Sequence, residues 1–481
     1  MLTAPIALLP PVVNQEIVHT PLTILSAAAF AFVALTAVFV VRSKPAWALG
    51  ALAFSTPFAL YRDVGQTTVT LEKALLLGTV IGLLSTGAPL IPRSRPARFF
   101  LLASAAVLAT TLLSAIQAPF LGAAIREGLK VVEYALLAWC AISIIERKPE
   151  AGAMAFSVGT VGALLAVSLY SAGQAAFGGS PSGIYIDNHI VPRVSGPLEG
   201  PNQLAGYFEV ALPIAWLSPL LDRRLSAIRW IAVLLGTAAL VMAQSRAGLA
   251  VMLLAYVALW FVRRPAARAT LAPVGLGALA GFGALVVWYT LATHSPILAT
   301  SRFGLFAPVV PTQSYAGGVG NRRELWTAAL HLFERNAVIG VGAGNFERML
   351  PVVGVFGVRT HANSLWLQTL AEQGLLGLFA AFALAFVVLR GAYLGMGRSW
   401  LAAAAFIASG CLFIHQFVDD LFFFPKVAML WWLLVGAATA AIGVSSQTSA
   451  ADQASFPDRM GGPSSGQSTP TEGSFHLSSR S

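Results

Sequence analysis

Charged residues are scarce in this chain of 481 residues: only 10% are Asp, Glu, Lys or Arg, whereas 57% are hydrophobic. Soluble globular domains carry about a quarter charged residues, and the mean hydropathy of +0.75 is too high for a water-exposed surface. This scarcity argues against a cytosolic enzyme, a secreted domain or a disordered regulator. The composition predicts an all-α polytopic membrane protein, a bundle of membrane helices.

Cysteine and lysine are rare as well. The two cysteines, Cys140 and Cys411, lie in apolar runs, so neither a disulfide framework nor a zinc site is expected. Only five of the 30 basic residues are lysines, so arginine dominates the net charge of +10. In a membrane protein this excess predicts loops that face anionic lipid headgroups, and no nucleic-acid partner. No cleavable signal peptide is predicted, because the opening residues MLTAPIALLPP lack a charged n-region.

Long apolar runs are what the sequence has in abundance. A bilayer core of ~30 Å needs about 20 apolar residues per helix, and thirteen runs approach or exceed that length. The second run is short enough to be re-entrant, so 12 to 13 spans are predicted. The runs are roughly Pro21–Val41, Ala46–Tyr61, Thr70–Pro89, Arg98–Ala118, Gly122–Ile145, Ala151–Ala172, Asn202–Leu221, Ala227–Gln244, Ala247–Val262, Thr270–Thr293, Ser364–Leu389, Trp400–Phe417 and Val427–Val444.

Basic residues recur in every second connection between these runs. They number 15 and are Arg42, Lys44, Arg93, Arg95, Arg98, Arg147, Lys148, Arg223, Arg224, Arg229, Arg263, Arg264, Arg268, Arg390 and Arg398. The positive-inside rule predicts that this side is cytoplasmic. The N-terminus is then outside and the C-terminus inside.

The opposite side has two long connections, about 173–201 and 294–363. The larger one contains a predicted amphipathic helix, Arg322–Arg335, which we expect to lie along the membrane surface. From Ser445 the composition changes to Ser, Gly, Pro, Gln and Thr. Residues 1–444 are therefore predicted to form the membrane domain, and residues 445–481 a disordered cytoplasmic tail.

Several arginines lie on the side opposite the basic loops, where the positive-inside rule predicts few basic residues. These arginines are therefore candidates for a functional role. Arg193 lies in a Gly- and Pro-rich approach to a span, and Arg246 lies between two spans joined by almost no loop. Arginine holds phosphate oxygens bidentately, so the set predicts a phosphate-bearing ligand, with Arg193 and Arg246 reaching one headgroup. The alternative is snorkelling or pairing with glutamates.

Two charged groups are open to more than one interpretation. Arg126, Lys130 and Glu133 share one face of the fifth span, where internal ion pairing is favoured over substrate contact. Asp419 and Asp420 form an acidic pair at a span end. They are interpreted as a solvated loop pair rather than a cation site, because no second acidic cluster completes an oxygen-rich site.

Two further motifs precede the eleventh span. The segment IGVGAGNF (Ile339–Phe346) resembles a phosphate loop, but no strand precedes it and no Lys-Ser/Thr follows. A helix-terminating turn is the favoured interpretation. His361 ends the long connection and is a candidate general base near neutral pH. The alternative is an exposed loop histidine.

Taken in order, these motifs resemble the O-antigen ligase and polymerase superfamily over about residues 70–440. The order is the Arg193 segment with Gly196 and Asn202, then Ser245-Arg246-Ala247-Gly248, then GNRRELWTAALHLFERNAVIGVGAGNF, then HANSLWLQTLAEQGLLGL. The resemblance implies a glycosyltransferase C-like fold in the bacterial inner membrane, acting at the periplasmic face. It implies a glycan donor on undecaprenyl diphosphate, an acceptor that is either a lipid A core sugar or another lipid-linked repeat, and no metal or other cofactor.

The resemblance also implies roles for particular residues. Arg193 and Arg246 would grip the diphosphate, and Arg322 or Arg323 would help at the entrance to the site. His361, the candidate general base, joins the two arginines as the predicted catalytic residues. The expected substrate-binding residues are Asn202, Arg322, Arg323, Arg359 and Asn363.

One departure from the ligase pattern concerns the expected histidine. Ligases of this family are similar in one pattern: a His, then Asn, Ser or Gln, then nine residues, and then Gly-x-x-Gly. Here Ser364, Gly374 and Gly377 fit, but Asn363 takes the histidine position. His361 lies two residues earlier, where an extended chain points its side chain the same way, so it is a candidate substitute.

Three alternatives stay open at this point. A polymerase would use the same donor with another lipid-linked repeat as acceptor. An inorganic-carbon or other anion transporter would need an Arg-lined cavity, but inverted repeats and interrupted helices at the midplane are not seen in the sequence. A structural scaffold does not explain the long connections.

Overall fold

The computed structural model describes residues 24–58, 61–64, 67–177, 182–186, 189–219, 223–293 and 322–454. The predictions for the first residues, for residues 294–321 of the long connection and for the tail beyond residue 454 therefore lie outside the described residues.

Each of the thirteen predicted apolar runs forms one helix, and two more helices lie in the long connection. The first ten are α1 Ile24–Ser43, α2 Pro45–Ser55, α3 Leu71–Ser85, α4 Arg95–Ser114, α5 Leu121–Arg147, α6 Pro149–Phe177, α7 Pro201–Leu217, α8 Arg223–Ala243, α9 Arg246–Val262 and α10 Arg264–Thr293. The last five are α11 Arg322–Arg335, α12 Phe346–Met349, α13 Leu365–Gly395, α14 Trp400–His415 and α15 Pro425–Ala454.

The length of these helices shows a multi-pass membrane protein. Among the described residues, seven helices are long and apolar enough to cross a membrane: α4, α5, α6, α8, α10, α13 and α15. The other six predicted spans form shorter helices, which are α2, α3, α7, α9, α14 and the Ala28–Ser43 part of α1. For example, α14 spans only 16 residues because the chain turns at its C-terminal end towards Asp419.

Some boundaries differ from the sequence predictions. The connection near residues 173–201 is not irregular throughout, because α6 runs to Phe177 and a hairpin follows, formed by β3 (Ser182–Ile186) and β4 (His189–Arg193). A second hairpin, β1 (Tyr61–Val64) with β2 (Thr67–Thr70), precedes α3. Helix α15 passes the predicted domain end at residue 444 and reaches Ala454.

Small residues allow the helices to approach closely, as is common in membrane proteins. A Cβ on Gly159 of α6 would clash with the backbone oxygen of Gly50 in α2. Around this packed interior, large apolar side chains such as Phe32, Leu102 and Leu279 are exposed. Water would disfavour such a surface, whereas lipid suits it.

The predicted basic connections contact one another at one end of the bundle. Arg147 donates to the Thr86 hydroxyl at 2.9 Å, and Arg263 donates to the Met396 carbonyl at 2.9 Å. At the other end, which we call the loop end, α11 and the approaches to α7, α13 and α15 meet. All the contacts of the candidate site lie at the loop end.

Helix α11 has the predicted bounds but not the predicted environment. Its apolar residues Leu325, Ala329 and Leu332 are buried in a small second core with Phe346 and Ala371. Protein therefore covers the face that was expected to rest on the membrane surface. This packing fixes Arg322, the first residue of α11, relative to α13.

Candidate functional site

Arg193 ends strand β4 and is held in place by two hydrogen bonds. Its Nε donates to the Ala243 carbonyl at the end of α8 at 2.8 Å, and a terminal nitrogen donates to Asn202 Oδ1 at 3.2 Å. Burial lowers the pKa of Arg193 to about 10, which still leaves it charged at neutral pH. A buried cation of this kind needs an anionic partner.

Asp419 is the nearest such anion, and it gathers the predicted residues around it. Asn202 Nδ2 donates to Asp419 Oδ2 at 2.6 Å, and an Arg322 nitrogen lies 3.8 Å from the same oxygen. Arg246 and Arg322 are close enough to Arg193 to lower its pKa further, while Asp419 raises it. We call Arg193, Arg246, Arg322, Asn202 and Asp419 the arginine cluster. The cluster brings three arginines together with one carboxylate, so its members carry more positive than negative charge.

The interpretation of Asp419 and Asp420 as a solvated pair is wrong. Their exposed fractions are 2% and 3%. The turn after α14 buries both, since the Asp419 amide donates to the His415 carbonyl and the Leu365 amide donates to the Asp419 carbonyl. The two neighbouring carboxylates consequently have fixed positions and different surroundings.

Asp420 faces away from the arginine cluster. Its Oδ1 accepts the backbone amides of Phe422 at 3.2 Å and Phe423 at 3.1 Å. Burial raises the pKa of Asp420 to about 6, an effect that Asp419 reinforces and His361 opposes. A carboxyl group with this pKa is ionised at neutral pH and can still accept a proton from a reacting group.

His361 lies beside Asp420, buried against the ring of Phe423 at a centroid distance of 4.9 Å. The chain is not extended here, because Asn363 has a positive φ of 50°, so the expected parallel direction of side chains 361 and 363 is wrong. Instead the Asn363 amide donates to His361 Nδ1 at 3.1 Å. With Nδ1 accepting, a neutral imidazole has its proton on Nε2 and donates there.

One polar atom of the Asn363 side chain lacks a hydrogen-bond partner among the described residues. The backbone carbonyl of Asn363 accepts from Trp326 Nε1 at 3.4 Å, whereas the side-chain Nδ2 is buried and is the atom without a described partner. Buried polar atoms rarely stay unpaired in native proteins. Asn363 is thus placed to donate to a ligand.

A cavity of about 940 Å³ opens on the Asp420 side. Seven carboxyl groups and five basic side chains line it, together with an aromatic wall that includes Trp366, Trp431 and Trp432. The charged face of α5 points into this cavity and is also paired: Lys130 lies 2.7 Å from Glu127, and Glu133 lies 3.6 Å from Lys73. The ion pairing expected for that face is therefore present, whereas substrate contact stays a prediction.

The glycine-rich segment at Ile339–Phe346 cannot hold a phosphate with its backbone amides. Glu372 of α13 accepts the amides of Gly344 at 2.9 Å and Phe346 at 3.0 Å. The Val341 and Gly342 amides donate to α13 carbonyls, and the Ala343 amide donates to Ser114. The segment therefore serves to attach the long connection to α13.

The glycine pattern in α13 completes this attachment. Gly374 breaks the helix with a φ of 64°, and a Cβ there would lie 2.5 Å from the Val338 carbonyl group. The Leu375 amide then donates to the Ala337 carbonyl at 2.8 Å. The break allows the connection to run beside α13, so this glycine has a structural role.

The remaining predicted residues lie away from the arginine cluster. Arg323 lines a separate pocket of about 370 Å³ with His331 and Val353. Arg359 is exposed in the connection before α13. The structure thus brings Arg193, Asn202, Arg246 and Arg322 together, and it adds Asp419, Asp420 and the α5 face, which sequence reasoning had set aside. The sequence signal that could have identified Asp419 and Asp420 is a pair of adjacent acidic residues at the end of a short apolar run.

The structure and its site define a polytopic membrane protein with a charged, largely buried centre at one end of the bundle. Residues 231–382 match the family model described as O-antigen ligase. This segment, which includes Arg246, Arg322 and His361, is therefore similar to the O-antigen ligase family, and the resemblance seen in the sequence is confirmed over these residues. No curated protein matches the chain.

Proposed function

We propose that the chain transfers a glycan from undecaprenyl diphosphate to an acceptor hydroxyl at the periplasmic face of the bacterial inner membrane. The observation that supports this most directly is the arginine cluster: Arg246 and Arg322 lie near Arg193, and the Asp419 carboxylate lies near Arg193 and Arg322, beside a second, separately oriented carboxylate. The net positive charge suits a diphosphate, and the O-antigen ligase match supports glycan transfer as the reaction class.

In this proposal the arginine cluster binds the leaving group. The bond between the anomeric carbon and the diphosphate oxygen breaks, and its electron pair leaves with the diphosphate. Arg193, Arg246 and Arg322 neutralise that charge, while Asp419 and Asn202 keep Arg193 and Arg322 oriented. Charge stabilisation by groups already in position is commonly the largest contribution to catalysis.

The acceptor side uses Asp420 and His361. The acceptor oxygen forms the new bond to the anomeric carbon, and its proton passes to the Asp420 carboxylate. His361 was expected to be the base, but its Nδ1 already accepts the Asn363 amide, so we assign it the role of donating from Nε2 to orient the acceptor oxygen. The sequence-based role of His361 thus becomes positioning, next to a base supplied by Asp420.

Transfer in lipid nanodiscs tests the proposal. The purified chain is supplied with a glycan on undecaprenyl diphosphate and with either a lipid A core or a second lipid-linked repeat. A product on the core identifies a ligase, and a lengthened lipid-linked glycan identifies a polymerase. Arg246→Ala should lower transfer at least ~10-fold, since a hydrogen bond to a charged group contributes about 1.5–3 kcal/mol. Arg268→Ala, an exposed arginine at the other end of the bundle, is the matched control. No transfer to either acceptor would refute the proposal.

Orientation needs a separate measurement. A cysteine at exposed Thr327 on α11 should react with a membrane-impermeant maleimide added outside spheroplasts, and a cysteine at exposed Gly397 should not. The native Cys140 and Cys411 are buried and give little background. The reverse labelling pattern would place the arginine cluster on the cytoplasmic side.

A further inference from the structure

A buried pair of ionisable side chains lies next to the turn of Asp419 and Asp420 and takes no part in the proposed mechanism. Glu209 of α7 is 0% exposed, and His415, the last residue of α14, is 1% exposed. Glu209 Oε1 and His415 Nδ1 lie 2.5 Å apart. Ionisable residues within membrane helices are rare and mark function, and apolar residues often replace a buried pair of this kind without loss of stability. Packing alone therefore does not account for the pair.

The backbone of His415 holds the turn. Its carbonyl accepts the amides of Val418 at 3.0 Å and Asp419 at 3.2 Å. The Leu365 amide, at the start of α13, donates to the carbonyls of Gln416 at 3.0 Å and Asp419 at 3.2 Å. The end of α14, the turn and the start of α13 thus form one hydrogen-bonded unit, and the side chain of His415 attaches that unit to α7.

Helix α7 is a fixed support for this attachment, because all residues of Gln203–Leu217 are buried. Asn202 and Glu209 are seven residues apart, so they share one face of α7 and lie about 10 Å apart along its axis. Asn202 bonds to Asp419, and Glu209 bonds to His415. Two attachments on one face prevent the turn from rotating about either of them.

The position of the turn matters to both halves of the site. Asp419 belongs to the arginine cluster and Asp420 is the proposed base, so a displaced turn would move both carboxylates at once. A shift of ~1 Å in a reacting group can lower a rate about 10²-fold, even when its cause lies far from the reacting atoms. A pair that prevents such a shift contributes to the rate without touching a substrate.

We propose that Glu209 and His415 are positioning residues, whose buried pair holds the turn of Asp419 and Asp420 against α7 so that both carboxylates act together. The effect on transfer rests on the proposed function, because that function makes Asp420 the base. The attachment of the turn does not rest on it and is measured separately.

Hydrogen exchange of backbone amides measures the attachment. The full chain is placed in lipid nanodiscs, and peptides covering residues 416–424 are compared between the wild type and Glu209→Leu/His415→Leu. Two leucines fill the space and leave no unpaired buried charge, so the variant keeps its fold, but they form no directional bond. The turn amides should exchange at least ~10-fold faster, the scale of a lost hydrogen bond to a charged group. Peptides of α4 and α10 should exchange as in the wild type.

Glu209→Gln tests rescue by a conservative change. Its amide oxygen still accepts a hydrogen bond from His415 Nδ1, so the turn should keep most of its protection. Ser409→Ala is the matched control, because Ser409 is also buried on α14 but bonds at 2.9 Å to Trp431 of α15 and not to α7. This control should leave exchange of the turn unchanged. Unchanged exchange of the turn in the double-leucine variant, or equally faster exchange in all helices, overturns the proposal.

Transfer and diphosphate binding measure the consequence of a loosened turn. In the double-leucine variant the rate of transfer at saturating donor should fall about 10²-fold. Inorganic diphosphate should bind within ~3-fold of wild type, because Arg193 keeps its bonds to Ala243 and Asn202. Equal losses of rate and affinity indicate general damage and overturn the positioning role, as does faster exchange of the turn with an unchanged rate. If the wild-type chain transfers no glycan but the variant loosens the turn, the proposed function is refuted and the attachment by Glu209 and His415 is supported.

Discussion

Asp419 and Asp420 are neighbours in the chain, yet they belong to two contrasting halves of the site. Asp419 is the single carboxylate of the arginine cluster, bonded to Asn202 and close to Arg322. Asp420 borders a cavity in which carboxyl groups outnumber basic side chains. Asp419 therefore compensates the charge of the arginines, whereas the raised pKa of Asp420 lets its carboxyl group titrate near neutral pH.

This contrast assigns different ligands to the two halves. In the proposed function, positive charge attracts a diphosphate, whereas an aromatic cavity lined by both carboxyl and basic groups suits the hydroxyl groups and apolar faces of an acceptor sugar. Because consecutive Cα atoms lie 3.8 Å apart across a trans peptide, the turn that holds Asp419 and Asp420 also fixes the distance between the two halves. A transferase needs that fixed distance, since orientation of both reactants removes much of the barrier.

The largest expected effect comes from the acceptor half. Asp420→Asn removes the proposed base and should lower the rate of transfer ~10²–10⁴-fold, the usual range for general base catalysis. The affinity for inorganic diphosphate, measured by calorimetry, should stay the same, because the amide keeps the size of the side chain and the arginine cluster is untouched. A variant that transfers at the wild-type rate would remove Asp420 from the mechanism.

The next effect belongs to the donor half. Arg193→Ala should weaken diphosphate binding at least ~10-fold, since it removes a charged hydrogen-bond donor from a buried site. Arg193→Lys should restore only part of the affinity, because an ammonium lacks the planar fork that reaches both Ala243 and Asn202. Calorimetry with inorganic diphosphate measures both variants. Full rescue by lysine would show that only charge matters at this position.

The pH dependence should distinguish the halves by their titrations. The pKa of Asp420 is raised to about 6, so its carboxylate becomes protonated as the pH falls through that value and is lost as a base. Between pH 7 and pH 5 the rate of transfer should fall about tenfold. Arg193, with a pKa lowered only to about 10, stays charged throughout, so binding of the undecaprenyl-diphosphate donor, whose diester phosphates do not titrate in this range, should not follow the same curve. A transfer rate that does not change over this range would contradict the assignment of the base.

Much of the fold was predictable from sequence, because a chain in lipid must pair its backbone polar groups internally and therefore crosses the membrane as apolar helices. Each apolar run forms a helix, and α11 has the bounds expected from its amphipathic pattern. The apolar face of α11 packs on protein rather than on lipid, since periodicity identifies an apolar face but not what covers it, and the position of α11 along the membrane surface stays a prediction. Here the face is covered by Phe346 and the start of α13, which Glu372 attaches to the glycine-rich segment.

The site was predictable only in part. Arg193, Asn202, Arg246 and Arg322 were selected from charge at span ends and from the ordered motifs, and they lie together. Asp419 was missed because its partner Asn202 is 217 residues away in sequence, and no local pattern reports such a contact. The conformation of Asn363 was missed for a related reason: its positive φ depends on the packing of the whole loop end and not on the residue type alone.

The smallest expected effect tests the link between the halves. Asn202→Ala removes the bridge in which Asn202 accepts from Arg193 and donates to Asp419. Asn202 acts on the diphosphate only by orienting Arg193, so diphosphate affinity should fall only about two- to tenfold, less than for loss of the arginine itself. Asn336→Ala, at the end of α11, is the matched control. Because Asp419 and Asp420 share one turn, loosening Asp419 should also lower the rate of transfer at saturating donor. If Asn202→Ala changes affinity and leaves that rate unchanged, Asp420 keeps its position without the bridge, and the halves are held by the backbone of the turn alone.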